Sequence, residues 1–390
     1  MVDKKQKKSS NNKKDISHKN KKNDLFNKYP IIGITLLLVV GGIIIGYSYF
    51  GQTNSNLISS SDKSHILGDW SDIHGVGLFN TADGTHKNKD GSDDNNDSIY
   101  LATNNGLYSK HQNSTWVQVG NDKSDITAFV INPKKEGVMY SSGYPSTGGN
   151  LGFRMSNDSG NTWKTISPVT GKSSIKTVSF LSGINPIAFN SIAISPVNTE
   201  ILYGSSEDGN ILYMTKDEGK TWAPKTTLPS NINIKSIAAH PSDPNNVFIG
   251  TNSGIFYSTD YGNNWTKVKS ELMKESTITG LGFNQNNELF AYVMPNTAVE
   301  EDSDNSDNNN GNGFIIKSDE SGKNWTKTNG QIPNVKTAWK FASGQNDEMY
   351  TIVSQQTAQN DIASSVYKSI DDGNSWFLEG TNGEDIIIKR

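Results

Sequence analysis

The chain has 390 residues, 33% of them hydrophobic, with 36 basic against 40 acidic side chains and no Cys. That length holds two or three ordinary domains or one large all-β domain, and without Cys there are no disulfides, thiolate metal sites or Cys nucleophiles. The formal net charge of -4 is unevenly spread. Residues 1–30 carry ten Lys against Asp3, Asp15 and Asp24, a net of +7, and residues 31–50 carry no charge. Residues 51–390 hold 26 basic and 37 acidic side chains, a net of -11, and only Arg154 and Arg390 are arginine.

In chain order, the Lys-rich tail of 1–30 leads into IIGITLLLVVGGIIIGYSYF, residues 31–50. Twenty helical residues rise about 30 Å, the thickness of a bilayer's hydrocarbon core, and Tyr47, Tyr49 and Phe50 supply interfacial rings at one end. A cleaved signal peptide is the alternative, but its apolar region is usually about 7–15 residues and ends in a small-residue cleavage site. This run is longer and is followed by no such site, so it reads as a transmembrane signal-anchor. Positive flanks stay in the cytoplasm, which puts the tail inside and the acidic remainder at the cell surface. The usage, rich in Asn and Lys, suits a bacterial envelope protein. Residues 51–68, rich in Ser and Asn, read as a flexible linker.

Beyond the linker the chain repeats itself. Four octapeptides share Ser/Thr-x-Asp-x-Gly-x-x-Trp: SNDSGNTW with Asp158, Gly160 and Trp163; TKDEGKTW with Asp217, Gly219 and Trp222; STDYGNNW with Asp260, Gly262 and Trp265; and SIDDGNSW with Asp371, Gly373 and Trp376. SDESGKNW places Glu320 at the Asp position, with Gly322 and Trp325, and SKHQNSTW keeps only Ser109 and Trp116 of the pattern. Asp accepts hydrogen bonds from backbone N–H groups two residues on, and Gly supplies a positive φ, so each octapeptide reads as a turn whose Trp buries a large ring. These carboxylates are structural by that reading.

Each turn is preceded by three short apolar runs and followed by a fourth, and successive Trp lie 47, 59, 43, 60 and 51 residues apart. That period suits four-stranded blades arranged radially. The expected fold is all-β: a six-bladed β-propeller over residues 69–390, its blades opening near Ile73, Ile126, Ile187, Ile234, Ile278 and Thr337. Candidates to close the ring are Ile386 to Ile388 and the segment around Ile66.

The octapeptides resemble Asp-boxes, also called bacterial neuraminidase repeats, and HPSDPNNVFIGTNSGIFYSTDYGNNW is similar to segments of sialidase-like, sortilin-like and photosystem-assembly-factor propellers. The resemblance covers about 69–380, and the opening Asp72 to Gly77 is similar to the first blade of bacterial envelope propellers labelled as glycosyl hydrolases. It implies that the boxes lie between third and fourth strands and that ligands bind on the opposite face. Candidates on that face are Asp72, His74, Asp125, Asn190, Lys235, Thr277, Lys336 and Trp339 from the starts of first strands, with Asn104, Tyr144, Glu207, Asp208, Asn252 and Gln355 from loops.

The sialidases these boxes resemble hold a substrate carboxylate with three arginines. Bidentate guanidinium groups are not replaced conservatively by Lys, so two arginines exclude the usual sialidase site. A glycosidase of another kind needs two carboxyl groups roughly 5–10 Å apart, for which Asp72, Asp125, Glu207 and Asp208 are the candidates, with His74 as an acid/base group. Residues 85–98 and 298–313 are acidic insertions whose oxygen ligands suit Ca²⁺, although neither has EF-hand spacing and solvated loops are the alternative. A domain at -11 repels nucleic acid. The expected function is a membrane-anchored extracellular module recognising an envelope glycan or protein, with a glycoside hydrolase or lyase acting on polysaccharide as the alternative.

Overall fold

The computed structural model describes residues 73–79, 98–111, 116–147, 149–166, 188–225, 228–296, 313–319, 322–332, 335–344, 348–356, 362–381, 384–385 and 387–389. The Lys-rich tail, residues 31–50, the linker, Asp72, Glu320 and both acidic insertions lie outside them, as does the segment around Ile66. Contacts divide the chain into Met1–Lys63 and Ser64–Arg390, and every described residue belongs to the second unit. Among the described residues no helix is long and apolar enough to cross a membrane; one 3-10 turn, Glu271–Met273, interrupts the strands.

Six antiparallel four-stranded sheets follow one another along the chain. Blade 1 is β1 (Ile73–Phe79), β2 (Ser98–Thr103), β3 (Gly106–His111) and β4 (Val117–Val119). Blade 2 is β5 (Asp125–Ile131), β6 (Met139–Tyr144), β7 (Arg154–Ser156) and β8 (Lys164–Thr165). Blade 3 is β9 (Phe189–Ile194), β10 (Leu202–Ser206), β11 (Leu212–Thr215) and β12 (Ala223–Lys225). Blade 4 is β13 (Ile234–Ala239), β14 (Val247–Thr251), β15 (Gly254–Ser258) and β16 (Thr266–Lys267). Blade 5 is β17 (Ser276–Phe283), β18 (Leu289–Pro295), β19 (Phe314–Ser318) and β20 (Trp325–Lys327). Blade 6 is β21 (Val335–Ser343), β22 (Met349–Gln356), β23 (Ile362–Ser369) and β24 (Phe377–Leu378). The protein is a six-bladed β-propeller, and its inner strands open where the apolar runs of the sequence begin.

β25 (Gly380–Thr381) pairs with β26 (Glu384–Asp385), and β27 (Ile387–Lys389) pairs with β23. The last strand therefore extends the outer edge of blade 6 and does not join blade 1. The seam between blades 6 and 1 is made by side chains: Trp116, Tyr108 and Val76 of blade 1 share one buried cluster with Tyr350, Ile352 and Val366 of blade 6. Lys110 of β3 adds a 2.6 Å ion pair to Glu379, just after β24.

The octapeptides show why the other five seams look alike. Each Trp packs into the blade before its own: Trp163 against Tyr100 and Leu107, Trp222 against Tyr140 and Phe153, Trp265 in the cluster of Ala193 and Tyr203, Trp325 against Phe248, and Trp376 against Phe290. Trp222 is 3% exposed, and its ring lies 5.0 Å edge-on from Phe153 and 4.6 Å from Phe189. Aromatic pairs of this kind add about 0.5–1.5 kcal/mol beyond area burial.

In the four complete boxes the turn that presents the Trp is built on two left-handed residues, such as Ser159 (φ 56°) with Gly160 (φ 87°) and Glu218 (φ 60°) with Gly219 (φ 85°). The sequence leads one to expect the Asp to cap the N–H two residues on. Instead Asp158 Oδ1 accepts from the Thr162 N–H at 2.9 Å and Oδ2 from the Thr162 hydroxyl at 2.6 Å, four residues on, while Ser156 Oγ accepts from the Gly160 N–H at 2.9 Å. The left-handed pair curls the loop back so that residue 162 reaches the carboxylate. Asp217, Asp260 and Asp371 repeat the arrangement. In the fifth box Trp325 donates its Nε1–H to the Gly322 carbonyl at 2.8 Å.

The box glycines are constrained twice. A Cβ on Gly219 would stand 2.0 Å from Phe153 Cε1, and on Gly160 2.3 Å from Leu107 Cδ2, each in the preceding blade. Gly149 also has a positive φ, 104°, but nothing lies within 4 Å of its Cβ position. A left-handed residue costs about 1–2 kcal/mol, so Gly149→Ala is expected to cost that alone. Gly219→Ala adds displacement of Phe153 and is expected to lower the urea midpoint clearly further; equal midpoints would show that the seam contact is slack.

The box carboxylates also set an acid limit. Burial opposes ionisation of Asp217 and Asp371, but hydrogen bonds from Thr215, Thr221, Ser369 and Ser375 outweigh it and hold both below the usual carboxylate range. A depressed folded value contributes stability that is present above the unfolded value near 4 and is lost as pH falls through the folded one. Tryptophan-fluorescence unfolding is expected to give midpoints that drop steeply below about pH 4, with Asp217→Asn flattening that drop.

Candidate functional site

The starts of the six inner strands and the loops between second and third strands lie on the face opposite the Asp-box turns. Each inner strand has an irregularity near its start, and β21 has two. The β1–β2 register runs from Ile73↔Thr103 to Gly75↔Ala102, leaving His74 out of the ladder. The same skip omits Thr127 in β5, Asn190 in β9, Lys235 in β13, Thr279 in β17 and Trp339 in β21. A β-bulge frees one residue from pairing and re-aims its side chain. These six residues, one from each blade, all line a single cavity of about 340 Å³ at the mouth of the central channel.

The residue after the bulge is small in five blades: Gly75, Ala128, Ser191, Ser236 and Gly280. The reason is close approach of neighbouring inner strands, since a Cβ on Gly75 would lie 3.0 Å from Phe129 Cβ and one on Gly280 3.1 Å from the Ala338 carbonyl. In blade 6 this position is Lys340, which lines the cavity and also a second, more apolar hollow of about 440 Å³ around the far ends of the inner strands. Its Nζ donates to the Phe129 carbonyl of blade 2 at 2.7 Å. Burial pushes its pKa down to about 8. The cavity lining holds Lys235, Lys340 and His74, and among the described residues no carboxylate lines it.

His74 and Asp125 are brought together by the first two blades, with Nε2 3.2 Å from Oδ1. Of the other residues expected from sequence, Asn190, Lys235 and Trp339 join His74 in the cavity. Asp208 is used in its own turn, where Ser206 Oγ donates at 2.5 Å and the Asn210 N–H at 3.0 Å. Burial raises its pKa and these bonds, outweighing burial, lower it. Glu207 is exposed beside it, and Lys336 is exposed at a second bulge of β21. Asn252 Oδ1 accepts from the Asn233 N–H at 2.8 Å, and Thr277 donates to Asn296 at 2.7 Å, so both staple loops. Tyr144 stands opposite Asp125 in the β5–β6 ladder, Asn104 is half-buried between β2 and β3, and Gln355 pairs with Val335. Arg154 is 4% exposed, bonded to Asp122 and stacked 5.1 Å from the Trp163 ring, which makes it part of a seam.

Sequence reasoning missed Thr127, Thr279 and Lys340. The signal was present: aligned on the bulge, the strands read Ile-His-Gly-Val, Ile-Thr-Ala-Phe, Phe-Asn-Ser-Ile, Ile-Lys-Ser-Ile, Ile-Thr-Gly-Leu and Ala-Trp-Lys-Phe. Only the last breaks the small position.

With this geometry in place, comparison with known proteins is informative about architecture. The Sortilin-Vps10 family profile, described as sortilin, neurotensin receptor 3, matches residues 210–384. The match supports a likeness to sortilin-like propellers. A xyloglucanase of Hypocrea jecorina (strain QM6a) is 32% identical over 102 residues, which is 26% of this chain and 12% of that enzyme. The GH74 xyloglucanase from Xanthomonas campestris superposes with a TM-score of 0.51 at 17% identity, over 80% of this chain and 45% of its own. An ancestral GH74 enzyme superposes with a TM-score of 0.47 at 16% identity, over 81% of this chain and 39% of its own. The propeller thus spans less than half the length of each of these relatives.

The position of Lys340 makes a pH signature. A lysine whose folded pKa is lowered from its usual value opposes folding while protonated, and that penalty is relieved as pH rises from about 8 towards the unfolded value. Between pH 7.5 and 10 the urea midpoint of the native chain is expected to rise relative to Lys340→Met. A difference that stays flat across this range would place the amine in open solvent.

Proposed function

We propose that the propeller is a carbohydrate-recognition module, tethered through residues 31–50 and held outside the membrane, that takes its ligand at the channel mouth opposite the Asp-boxes. The observation that carries this reading is the ring of bulge residues. Six blades contribute His74, Thr127, Asn190, Lys235, Thr279 and Trp339 to one concave surface, a mixture of hydroxyl, amide and cationic groups beside a single indole. Sugars present hydroxyls at their edges and C–H groups on their faces, and an aromatic plate with convergent polar groups matches both. Shape favours it too, because binding sites are concave and few.

The similarity to xyloglucanases, together with the His74–Asp125 pair, favours glycoside hydrolysis as the second reading. It requires a second carboxyl group across the scissile bond, and Asp72 is the candidate by position.

One set of measurements separates the two. The full chain is offered a panel of oligosaccharides that includes xyloglucan fragments, with binding followed by calorimetry and hydrolysis by the appearance of reducing ends. Saturable binding without turnover, weakened at least tenfold in Trp339→Ala, about 1.4 kcal/mol, is the expected result. Turnover abolished by Asp125→Ala would replace recognition with catalysis.

A further inference from the structure

We propose that the channel mouth is an oxyanion site, in which Lys340 and Lys235 take the carboxylate of an acidic sugar. This rests on the carbohydrate reading and names the ligand's charge.

Three observations lead to it. First, the cations in the cavity are uncompensated by its walls. Lys235 and Lys340 line it, no carboxylate does among the described residues, and Asp125 is engaged with His74. Lys340 forms no ion pair among the described residues, and its one hydrogen bond goes to a neutral carbonyl. An ammonium held away from water is costly unless paired, and an anionic ligand supplies the missing partner.

Second, buried hydroxyls stand ready beside these cations. Ser236, 3% exposed, and Thr279 both line the cavity, and both hydroxyl oxygens are buried without a hydrogen-bond partner. Buried polar groups left unbonded are costly, and a carboxylate accepts from such donors with charge-assisted strength. Third, Lys340 occupies the post-bulge position that is Gly, Ala or Ser in the other five blades. A long cationic chain there breaks the pseudo-symmetry of the ring at one point, directed into the cavity. A metal ion is disfavoured by the same cations. A neutral sugar would leave the ammonium as it is.

The charge is also switchable. Lys340 is protonated below about pH 8, so affinity for an anion is expected to fall as pH rises through that value. Among the described residues the other ionisable groups facing the site are His74 of β1, Lys235 of β13 and Asp125 of β5, which pairs with His74. Lys340→Met isolates the contribution of the one lysine from theirs.

The test uses the full chain with three probes, D-glucuronate, D-glucose and inorganic phosphate, by calorimetry at pH 6.5 and 9. Glucuronate is expected to bind at least tenfold more tightly than glucose at pH 6.5. Lys340→Met should erase that margin and its pH dependence while leaving glucose affinity within about twofold. Lys235→Gln, at an exposed position, should reduce the margin with the native urea midpoint retained, which covers the case in which Lys340→Met fails to fold. Equal affinity for glucuronate and glucose overturns the oxyanion site and leaves carbohydrate recognition standing. Phosphate binding more tightly than glucuronate, with glucose unbound, overturns the sugar and with it the carbohydrate reading. Absence of binding by all three overturns both.

Discussion

The fold depends on one contact made at each of the six seams, a tryptophan whose ring enters the blade before its own. A single four-stranded sheet of this length has two apolar faces and too little core to be stable alone. Stacked radially, each blade covers the next, and the Trp fixes how far apart they sit. The glycine three residues ahead of each Trp, in the four complete boxes and in the fifth, bears on the same seam, because its missing Cβ lets Leu107, Phe153, Leu212, Phe248 or Phe290 approach. The Asp has a supporting role. Its carboxylate ties the curl of the turn together, so that the ring and the glycine arrive in one geometry.

That outer constraint leaves the inner strands crowded at the axis. A bulge residue from every blade, and its successor from four of them, share the channel wall. Small successors let the strands converge, and the bulges turn the displaced side chains towards the mouth. Binding surface and packing device are therefore the same feature viewed from two sides. This explains how a ring of near-identical blades presents six different residues at one point. The structural role fixes only the backbone irregularity, so the side chain at the bulge is free to vary.

The octapeptides made the blade count and the turn positions legible in the sequence, because Trp and Gly are rare enough in register to be conspicuous. Inner strands were legible from their apolar alternation. The bulges were passed over, since register is a property of two paired strands and the small residue that follows the skip in five blades stands out only when the six strands are aligned on it. For the same reason Trp339 was found by its place near a strand start while Lys340 beside it was passed over. Ordinary alternation assigns neighbours to opposite faces, yet the skip turns both to the channel. The carboxylates fared differently: Asp208 lies where sequence placed it, but its hydrogen bonds are spent within its own turn.

Among the described residues the ring is shut without any strand shared between its ends. Each blade is one uninterrupted stretch of chain, and β27 lies along the outside of blade 6. Lys340 leaves blade 6, passes blade 1 and reaches the Phe129 carbonyl in blade 2, so its side chain acts as a tie-rod across the one junction that no strand crosses among the described residues. The molecule is in effect a necklace with a clasp. The clasp lies inside the channel, at the point where an arriving ligand touches it, and the closure of the ring and the filling of its mouth are thereby made to share a single side chain.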